Sequence, residues 1–189
     1  MMTDRNTRLI KAALVVFARY GVGKTTMNDI AREADVARQT LYNAYSSKEE
    51  VLRAAVRFAA DETFDTILTA WDGDISFGEK LDIFFENAQL NWYDIGQASP
   101  DAAELFEGIH KAAHEELQHV AATWGKHFER LILANTSPGT PGHDNAEHLA
   151  DFIYSASTNA KHNASDRDNL VHRLRMLKLS IMALINPTS

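Results

Sequence analysis

The two side chains best suited to recognition chemistry, Arg38 and Gln39, stand side by side in the stretch TMNDIAREADVARQTLYNAYSSKEE, residues 26–50. An arginine side chain can donate two hydrogen bonds to O6 and N7 of guanine, and a glutamine side chain can pair with N6 and N7 of adenine. The next residue, Thr40, can offer its methyl group to thymine or its hydroxyl to a phosphate. These residue types therefore predict contacts with base edges, provided that the fold presents them at an exposed surface.

The same stretch contains the signals of two short helices separated by a tight turn. Thr26 and Asp29 have the spacing of a capping box, in which the threonine oxygen accepts an amide hydrogen of the first helical turn. Asp35 and Val36 fall in the turn, and the second helix is predicted over residues 38–43. A helix, a turn of about three or four residues and a second helix is the geometry that places one helix in a DNA major groove.

A longer helix is predicted before this stretch. Apolar residues recur at spacings of three and four from about Thr7 to Tyr20, which is typical of an amphipathic helix. Gly21 ends this helix, because glycine takes a positive φ at a helix C-terminus without strain. On the polar face, Arg5 or Arg8 could approach a phosphate backbone.

Charge is distributed unevenly along the chain. The net charge is −7, yet residues 1–60 hold ten lysines and arginines against six acidic residues, and residues 61–189 hold nine against twenty. Affinity for phosphates depends on the local field near the contact, so the basic N-terminal third is compatible with DNA binding although the whole chain is acidic.

Three blocks of residues carry a family resemblance. They read RLIxAAxxxFxxxG over residues 8–21, TTxxxIAxxAxV over 25–36 and TLYxxYxSKExVL over 40–52. In residue types and spacing they resemble the N-terminal DNA-binding domain of the TetR (tetracycline-repressor-like) transcription regulators. The resemblance covers about residues 3–63, a third of the chain.

The sequence departs from the family pattern in and after the turn. Asp35 stands where the family usually has glycine, and aspartate tolerates left-handed backbone better than most residues. Ala37 replaces the usual serine or threonine, so the second short helix, which is the family's recognition helix, lacks a side-chain N-cap. Ala44 and Tyr45 stand where the family often has histidine and phenylalanine. The family's phosphate contacts at positions 37 and 44 are therefore not carried over.

The resemblance implies an all-α fold with two domains. A helix-turn-helix DNA-binding domain (3–63, with the helix-turn-helix at about 26–45) is expected to be joined by a long helix to a helical ligand-binding and dimerisation domain (64–189). It also implies that Thr26, Tyr42 and Lys48 hold phosphates, whereas side-chain chemistry assigns Arg38 and Gln39 to base edges and Thr40 to a base or a phosphate. Core packing is the alternative interpretation of Tyr42, as of Tyr45.

The function that the resemblance implies is sequence-specific transcriptional regulation. We expect a homodimeric repressor that a small apolar or amphipathic ligand releases from a palindromic, double-stranded DNA operator. A TetR-type activator is the alternative.

Beyond the resemblance, the pattern is helical throughout. Ser47 and Glu50 form a second capping box, from which a helix of about 24 residues extends to Trp71. Ser76 is predicted to cap the next helix, at about 77–95. Further helices are predicted over about 100–134, 144–162 and 165–185, the second of them capped by Asp144 and the third by Ser165, with a turn-rich loop at 135–143.

The last predicted helix is apolar on more than one side. Such a helix needs two partners, which favours packing against its own domain and against a second subunit in a four-helix interface. A core helix packed wholly within one chain is the alternative. The predicted interface residues are Phe152, Ile153, Ala156, Leu174, Leu177 and Ile181.

Aromatic residues are frequent in the middle helices and could line an apolar ligand cavity, which is where the TetR family binds its inducers. For each residue, ordinary core packing is the alternative. The predicted pocket residues are Phe64, Trp71, Phe84, Phe85, Trp92, Phe106, His110, Trp124 and Phe128.

Histidines and glutamates cluster in one stretch: Glu107, His110, His114, Glu115, Glu116 and His119. His110 and His114 are one helical turn apart, which suits metal ligation, so a helical metal-binding protein or enzyme is the rival class. Solvated or pocket-lining side chains are the other interpretations. Because no nucleophile elbow, P-loop or dinucleotide-binding motif occurs, we expect no enzymatic activity, no cofactor and no metal.

The composition limits the remaining classes. With no cysteine, the chain forms no disulfide and carries no thiolate chemistry. No apolar run approaches 18 residues, and the N-terminus has no apolar signal core. We therefore expect a soluble, cytoplasmic protein without a membrane partner.

Overall fold

The computed structural model of the protein describes residues 4–97, 109 and 113–185. Within these ranges every regular element is helical and no β-strand occurs, which confirms the predicted all-α class. The described residues divide into two compact units. The first contains residues 4–62 and the described part of 95–117, and the second contains residues 63–94 and 118–185.

Helices α1 (Asp4–Lys24), α2 (Met27–Glu33) and α3 (Arg38–Ala44) form the first unit together with the first part of α4 (Lys48–Trp71). Gly21 interrupts α1 with a φ of 73° and a ψ of 164°, so the regular helix ends where the sequence predicts. The apolar faces of the four helices meet in one core: Leu9, Ile10, Ala13, Phe17, Ile30, Ala31, Leu41, Val51 and Leu52.

Local hydrogen bonds begin two of these helices. Thr26 caps α2 with the complete capping box that the sequence predicts. At α4 the prediction is half right: Ser47 Oγ accepts from the Glu50 amide at 3.2 Å, but the Glu50 carboxylate bonds Ser46 instead, at 2.7 Å from its amide nitrogen. The Glu50 carboxylate therefore bonds the residue before Ser47 instead of Ser47 itself.

The second unit contains α5 (Phe77–Phe84), a π-helical segment (Phe85–Leu90), α8 (Pro141–Asp144), α9 (Ala146–His162) and α10 (Arg167–Ile185). Two further helices belong to it only in part: α6 (Asn91–Gln97) up to residue 94, and α7 (His114–Asn135) from residue 118 onward. Ser76 caps α5 as predicted, with a capping box that Glu79 completes. The π-helical segment was not predicted. In it the Asn91 amide donates to the Glu86 carbonyl, five residues earlier.

Two predicted boundaries change in the second half. The loop expected over 135–143 contains the start of α8, because Thr140 accepts from the His143 amide and Pro141 occupies the first helical turn. Asp144 does not cap α9; its carboxylate accepts from the Gly139 amide at 2.9 Å. The first residues of the helix expected over 100–134 lie outside the described residues.

The core of the second unit is apolar and rich in aromatic rings. Trp124 and Phe128 of α7 are buried, and Phe84 of α5 stands edge-on to both, with ring centroids 4.7 and 4.8 Å apart. Phe64 stacks on Trp124 at 4.4 Å. No helix among the described residues is long and apolar enough to cross a bilayer.

Candidate nucleic-acid interface

Helix α3 presents the predicted base-reading residues to solvent. Its single buried residue, Leu41, packs in the core of the first unit and thereby fixes which face points outward. Arg38 and Gln39 are exposed, whereas Thr40 is half-buried at the start of the helix. The structure therefore presents the two residues predicted to contact base edges together on one exposed surface, with Thr40 beside them.

Arg38 is held by Tyr42, one turn along α3. The guanidinium carbon lies 5.1 Å from the centre of the Tyr42 ring, and Arg38 Nη2 donates a hydrogen bond of 3.2 Å to Tyr42 Oη. A guanidinium over an aromatic face is attracted by the ring's quadrupole. Tyr42 is thus half-buried and packed against the core while its hydroxyl reaches the exposed surface, a position between the two interpretations that the sequence allowed.

Gln39 makes the corresponding contact one residue on. Its Nε2 donates to Oδ1 of Asn43 at 2.9 Å, and Asn43 is exposed on the same helix face. Sequence reasoning missed Asn43, although its spacing of four residues from Gln39 is the signal that places both on one face. An amide pair of this kind can offer donors and acceptors to more than one base edge.

The predicted phosphate site at Thr26 is already occupied by a protein carboxylate. Asp29 Oδ2 accepts from the Thr26 hydroxyl at 2.6 Å and from its amide at 3.0 Å. These bonds to Thr26 lower the pKa of the Asp29 carboxyl, which stays ionised at the N-terminus of α2. A phosphate at this helix end would have to share the site with that negative charge.

Lys48 has a structural role that the sequence did not indicate. Its Nζ donates to the carbonyl oxygens of Val22 at 2.8 Å and Gly23 at 3.2 Å, at the end of α1. An ammonium group there complements the negative end of the helix dipole. Because an ammonium group has three hydrogens, one remains for a phosphate.

Arg8 makes a structural contact that the sequence did not indicate. Its guanidinium donates to Ala34 O at 2.8 Å and to Asp35 O at 3.1 Å, while its approach to a phosphate backbone stays a prediction. Asp35 has a φ of 51°, the left-handed backbone expected for the position where the family usually has glycine. Arg8 therefore holds the turn between α2 and α3.

The residues predicted to line a ligand pocket pack mostly against one another. Trp71, Phe84, Phe85, Trp124 and Phe128 are buried in one cluster of the second unit. Trp92 is half-buried, and its indole N–H lies 3.3 Å from Thr63 Oγ1. Phe106 and His110 lie outside the described residues, so their predicted roles stay predictions.

A groove of about 500 Å³ lies elsewhere in the second unit, between α5, the π-helical segment and α10. Of the predicted pocket residues that the structure describes, only Phe85 lines it. Its floor also includes Leu90 and Leu174, and charged side chains stand at the rim, where Lys178 pairs with Asp82 at 2.5 Å. This groove was not predicted from the sequence.

The predicted dimer residues fall into two groups. Ile153, Leu174 and Ile181 are buried inside their own unit, so their surface is not available to a second copy. Ala156 and Leu177 are half-buried, and Phe152 is 47% exposed. Large apolar side chains outside the predicted set are also exposed on α10, Met176 by 50% and Leu179 by 55%. Of these residues, the exposed ones on α9 and α10 are therefore better candidates for an interface than the buried ones.

The histidine and glutamate cluster contains no metal site among the residues that the structure describes. Glu116 turns instead to Arg57 of α4, with 2.7 Å between Oε1 and Nη1. Glu107 and His110 are outside the described ranges.

The family match lies in the N-terminal part of the chain. The model of the family described as bacterial regulatory proteins, tetR family, matches residues 9–55. The uncharacterized HTH-type transcriptional regulator YfiR of Bacillus subtilis is 36% identical over 133 residues, which are 68% of this chain and 56% of YfiR. IcaR of Staphylococcus epidermidis, the negative transcriptional regulator of the biofilm operon icaADBC, is 27% identical over 79 residues, 42% of this chain and 43% of IcaR. The chain therefore spans about half the length of these curated relatives.

Among solved structures, the fatty acid degradation regulator FadR from Bacillus halodurans superimposes with a TM-score of 0.73. It covers 99% of this chain and 97% of its own, at 17% sequence identity. At that identity the likeness concerns the fold alone.

Proposed function

The chain belongs to the TetR family of bacterial regulatory proteins, and we propose that it is a sequence-specific, DNA-binding transcriptional repressor that a small molecule releases from its operator. The observation that carries the proposal is the exposed pair Arg38 and Gln39 on α3, held by Tyr42 and Asn43 one turn along the same helix. A repressing role is supported by IcaR, a negative regulator.

In this proposal the two kinds of DNA contact come from different elements. Arg38 and Gln39 read base edges, with Thr40 beside them. Tyr42 and Lys48 hold phosphates, and Thr26 adds a contact at the start of α2. Phosphate contacts fix the register of the protein on the duplex, whereas base contacts carry the sequence information. We expect the domain roles to divide at about residues 63 and 64, with DNA binding before that point.

A palindromic operator requires two copies of the chain. Two α3 helices would enter successive major grooves, whose centres lie about 34 Å apart. The exposed apolar side chains of α9 and α10 support a second copy as the partner, because a soluble surface rarely leaves several large apolar groups uncovered. Phe152, Met176 and Leu179 are the proposed anchors of that interface, and Ala156 and Leu177 contribute their partly exposed surfaces.

Release by a ligand needs only a modest preference between two states. A small molecule that binds the second unit and favours a conformation unsuited to the operator shifts the population away from DNA. A coupling of about 1–3 kcal/mol changes DNA affinity by about 5–150-fold. The aromatic core of the second unit and its groove support an apolar or amphipathic ligand. We place this function in the cytoplasm, where the DNA is.

The direct test is footprinting of the purified chain on the DNA upstream of its own gene. The proposal expects protection of two symmetric half-sites whose centres are about 10 base pairs, or a multiple of the helical repeat, apart. The double variant Arg38→Ala, Gln39→Ala should lose this footprint while keeping a normal melting temperature, because both side chains are exposed. Equal, sequence-independent protection by both proteins would refute specific regulation.

A further inference from the structure

Two buried polar side chains interrupt the apolar core of the second unit. Gln89 of the π-helical segment is 2% exposed, and Ser157 of α9 is fully buried. They are the only buried polar residues among the described part of this unit. Polar groups inside an apolar core reduce stability unless their hydrogen bonds are satisfied, so each needs a partner.

The hydrogen bonds of this pair leave one buried polar atom without a partner among the described residues. Gln89 Nε2 donates to Ser157 Oγ at 3.1 Å, and Ser157 Oγ donates to the carbonyl oxygen of Tyr154 at 3.0 Å. Since the serine proton goes to Tyr154, Ser157 can only accept from Gln89, which fixes the amide with Nε2 toward the serine. Gln89 Oε1 is then a buried acceptor to which no described protein group donates.

An unmatched donor lies one helical turn further along α9. Lys161 is four residues after Ser157 and therefore on the same side of the helix, where its side chain is partly buried. Burial lowers the pKa of Lys161 to about 8, and no charged group among the described residues opposes that shift. Nζ is thus a donor without a carboxylate partner in the described structure.

The backbone at Gln89 is also unusual. Hydrogen bonds across five residues, instead of four, occur mostly as short segments within helices, frequently at functional sites. The segment Phe85–Leu90 has this geometry, and its residues Phe85, Glu86 and Leu90 line the groove of the second unit. Gln89 belongs to the same turn, but it faces Ser157 instead of solvent.

We infer that Gln89 and Lys161 form the polar anchor of the regulatory ligand, and that this ligand is an apolar molecule carrying a hydroxyl group. A hydroxyl has one hydrogen to donate to Gln89 Oε1 and lone pairs that accept from Lys161 Nζ. A carboxylate can also accept from Lys161 Nζ, but it has no hydrogen to donate and would leave Gln89 Oε1 unsatisfied. The inference rests on the proposed ligand-controlled function and names the chemistry of its ligand.

Three probes with the same chain and different head groups test the anchor: decan-1-ol, decanoate and methyl decanoate. All three tryptophans of the chain, Trp71, Trp92 and Trp124, belong to the second unit, so their fluorescence reports binding there. The wild-type protein is expected to bind decan-1-ol about tenfold more tightly than methyl decanoate, which has no hydrogen to donate, and more tightly than decanoate.

Gln89→Leu removes the amide and keeps a similar volume. It should abolish the preference for decan-1-ol over methyl decanoate while methyl decanoate binds as before. Asn87→Leu is the matched control, because the Asn87 amide lies in the same segment and donates to its own helix, at Ile83 O. This variant should keep the preference. Lys161→Met should weaken the binding of both decan-1-ol and methyl decanoate, whose oxygens can each accept from Nζ, and should keep the preference between them.

Thermal unfolding separates a ligand anchor from a structural one. If Gln89 is a ligand anchor, its Oε1 is an unsatisfied buried acceptor while no ligand is bound. Replacing it in Gln89→Leu removes that unsatisfied group, so the ligand-free variant should melt at the same temperature as wild type or higher. A lower melting temperature would assign Gln89 a structural role, with a bound water only at Oε1. Equal binding of the alcohol and the ester by wild type, or binding of neither, overturns the inference as well. Footprints on the same samples reveal separately whether the DNA-binding proposal fails.

Discussion

The guanidinium of Arg38 lies over the ring of Tyr42 and donates to its hydroxyl, so one exposed residue and one half-buried residue act as a unit on α3. Tyr42 packs against the core of the first unit, which fixes the position of its ring. Arg38, otherwise a long and flexible side chain, is thereby restricted before DNA arrives. A restricted side chain loses less conformational entropy on binding, which favours affinity.

Substitution of Tyr42 separates the ring from the hydroxyl. Tyr42→Phe keeps the ring beneath Arg38 and should weaken operator binding by about 0.5–1.5 kcal/mol through the lost hydrogen bonds. Tyr42→Leu also removes the cation–π contact, worth about 0.5–1 kcal/mol more, and should relax the preference at the base pair that Arg38 reads. Titrations on operator variants measure both effects. If the two variants bind alike, the ring does not position Arg38.

Lys48 should affect both folding and DNA binding. Lys48→Met removes a cation that bonds two carbonyls at the end of α1, which should lower the free energy of unfolding by about 1–2 kcal/mol. It should also weaken binding to every DNA sequence similarly and flatten the salt dependence by about one phosphate contact. Chemical denaturation and titrations at several salt concentrations measure the two effects. Arg53→Met, at an exposed position of α4, is the control for the loss of one positive charge. A Lys48→Met protein with wild-type salt dependence would confine Lys48 to its structural role.

The turn between α2 and α3 should be improved by glycine. Asp35 has a positive φ, which glycine adopts without strain and alanine does not. Asp35→Gly is expected to be neutral or to stabilise the protein by up to about 1 kcal/mol, whereas Asp35→Ala should destabilise it by about 1 kcal/mol. Thermal unfolding of both variants decides the matter. Equal losses in the two would mean that the aspartate side chain, and not the backbone, determines stability at this position.

Helix α3 should accept an N-cap. Ala37 has the extended backbone of an N-cap residue, yet its side chain makes no capping hydrogen bond. Ala37→Ser can supply that bond and should raise the free energy of unfolding by about 1 kcal/mol. Ala37→Val, which cannot cap, should give no gain. Identical denaturation curves for the serine and valine variants would contradict the capping explanation.

What the sequence predicts well is encoded locally. Thr26 with Asp29, and Ser76 with Glu79, determine the starts of α2 and α5 through bonds that span three residues. Gly21 ends the regular part of α1 for a similarly local reason. The exposure of Arg38 and Gln39 follows because a seven-residue helix with one buried leucine can turn only one face inward.

What the sequence does not predict depends on pairs that are distant along the chain. Arg8 meets the turn at Ala34 and Asp35, and Lys48 meets Val22, across about 26 residues in each case. Gln89 and Ser157 are 68 residues apart. A charged or polar residue on a helix face looks solvated until its tertiary partner is known. For the same reason the sequence pattern predicts Ile153 and Ile181 at an interface, although both are buried in their own unit.

The central claim is that α3 reads base sequence, and a base-resolved binding profile of wild type and Arg38→Ala tests it most directly. Each operator position is varied in turn, and the affinity of both proteins is measured at one fixed salt concentration. The profile of Arg38→Ala should lose preference at one base pair in each half-site, by about 1–3 kcal/mol, and keep the others. An Arg38→Ala protein that is weaker on every sequence by the same factor would contradict the claim and make Arg38 a phosphate contact.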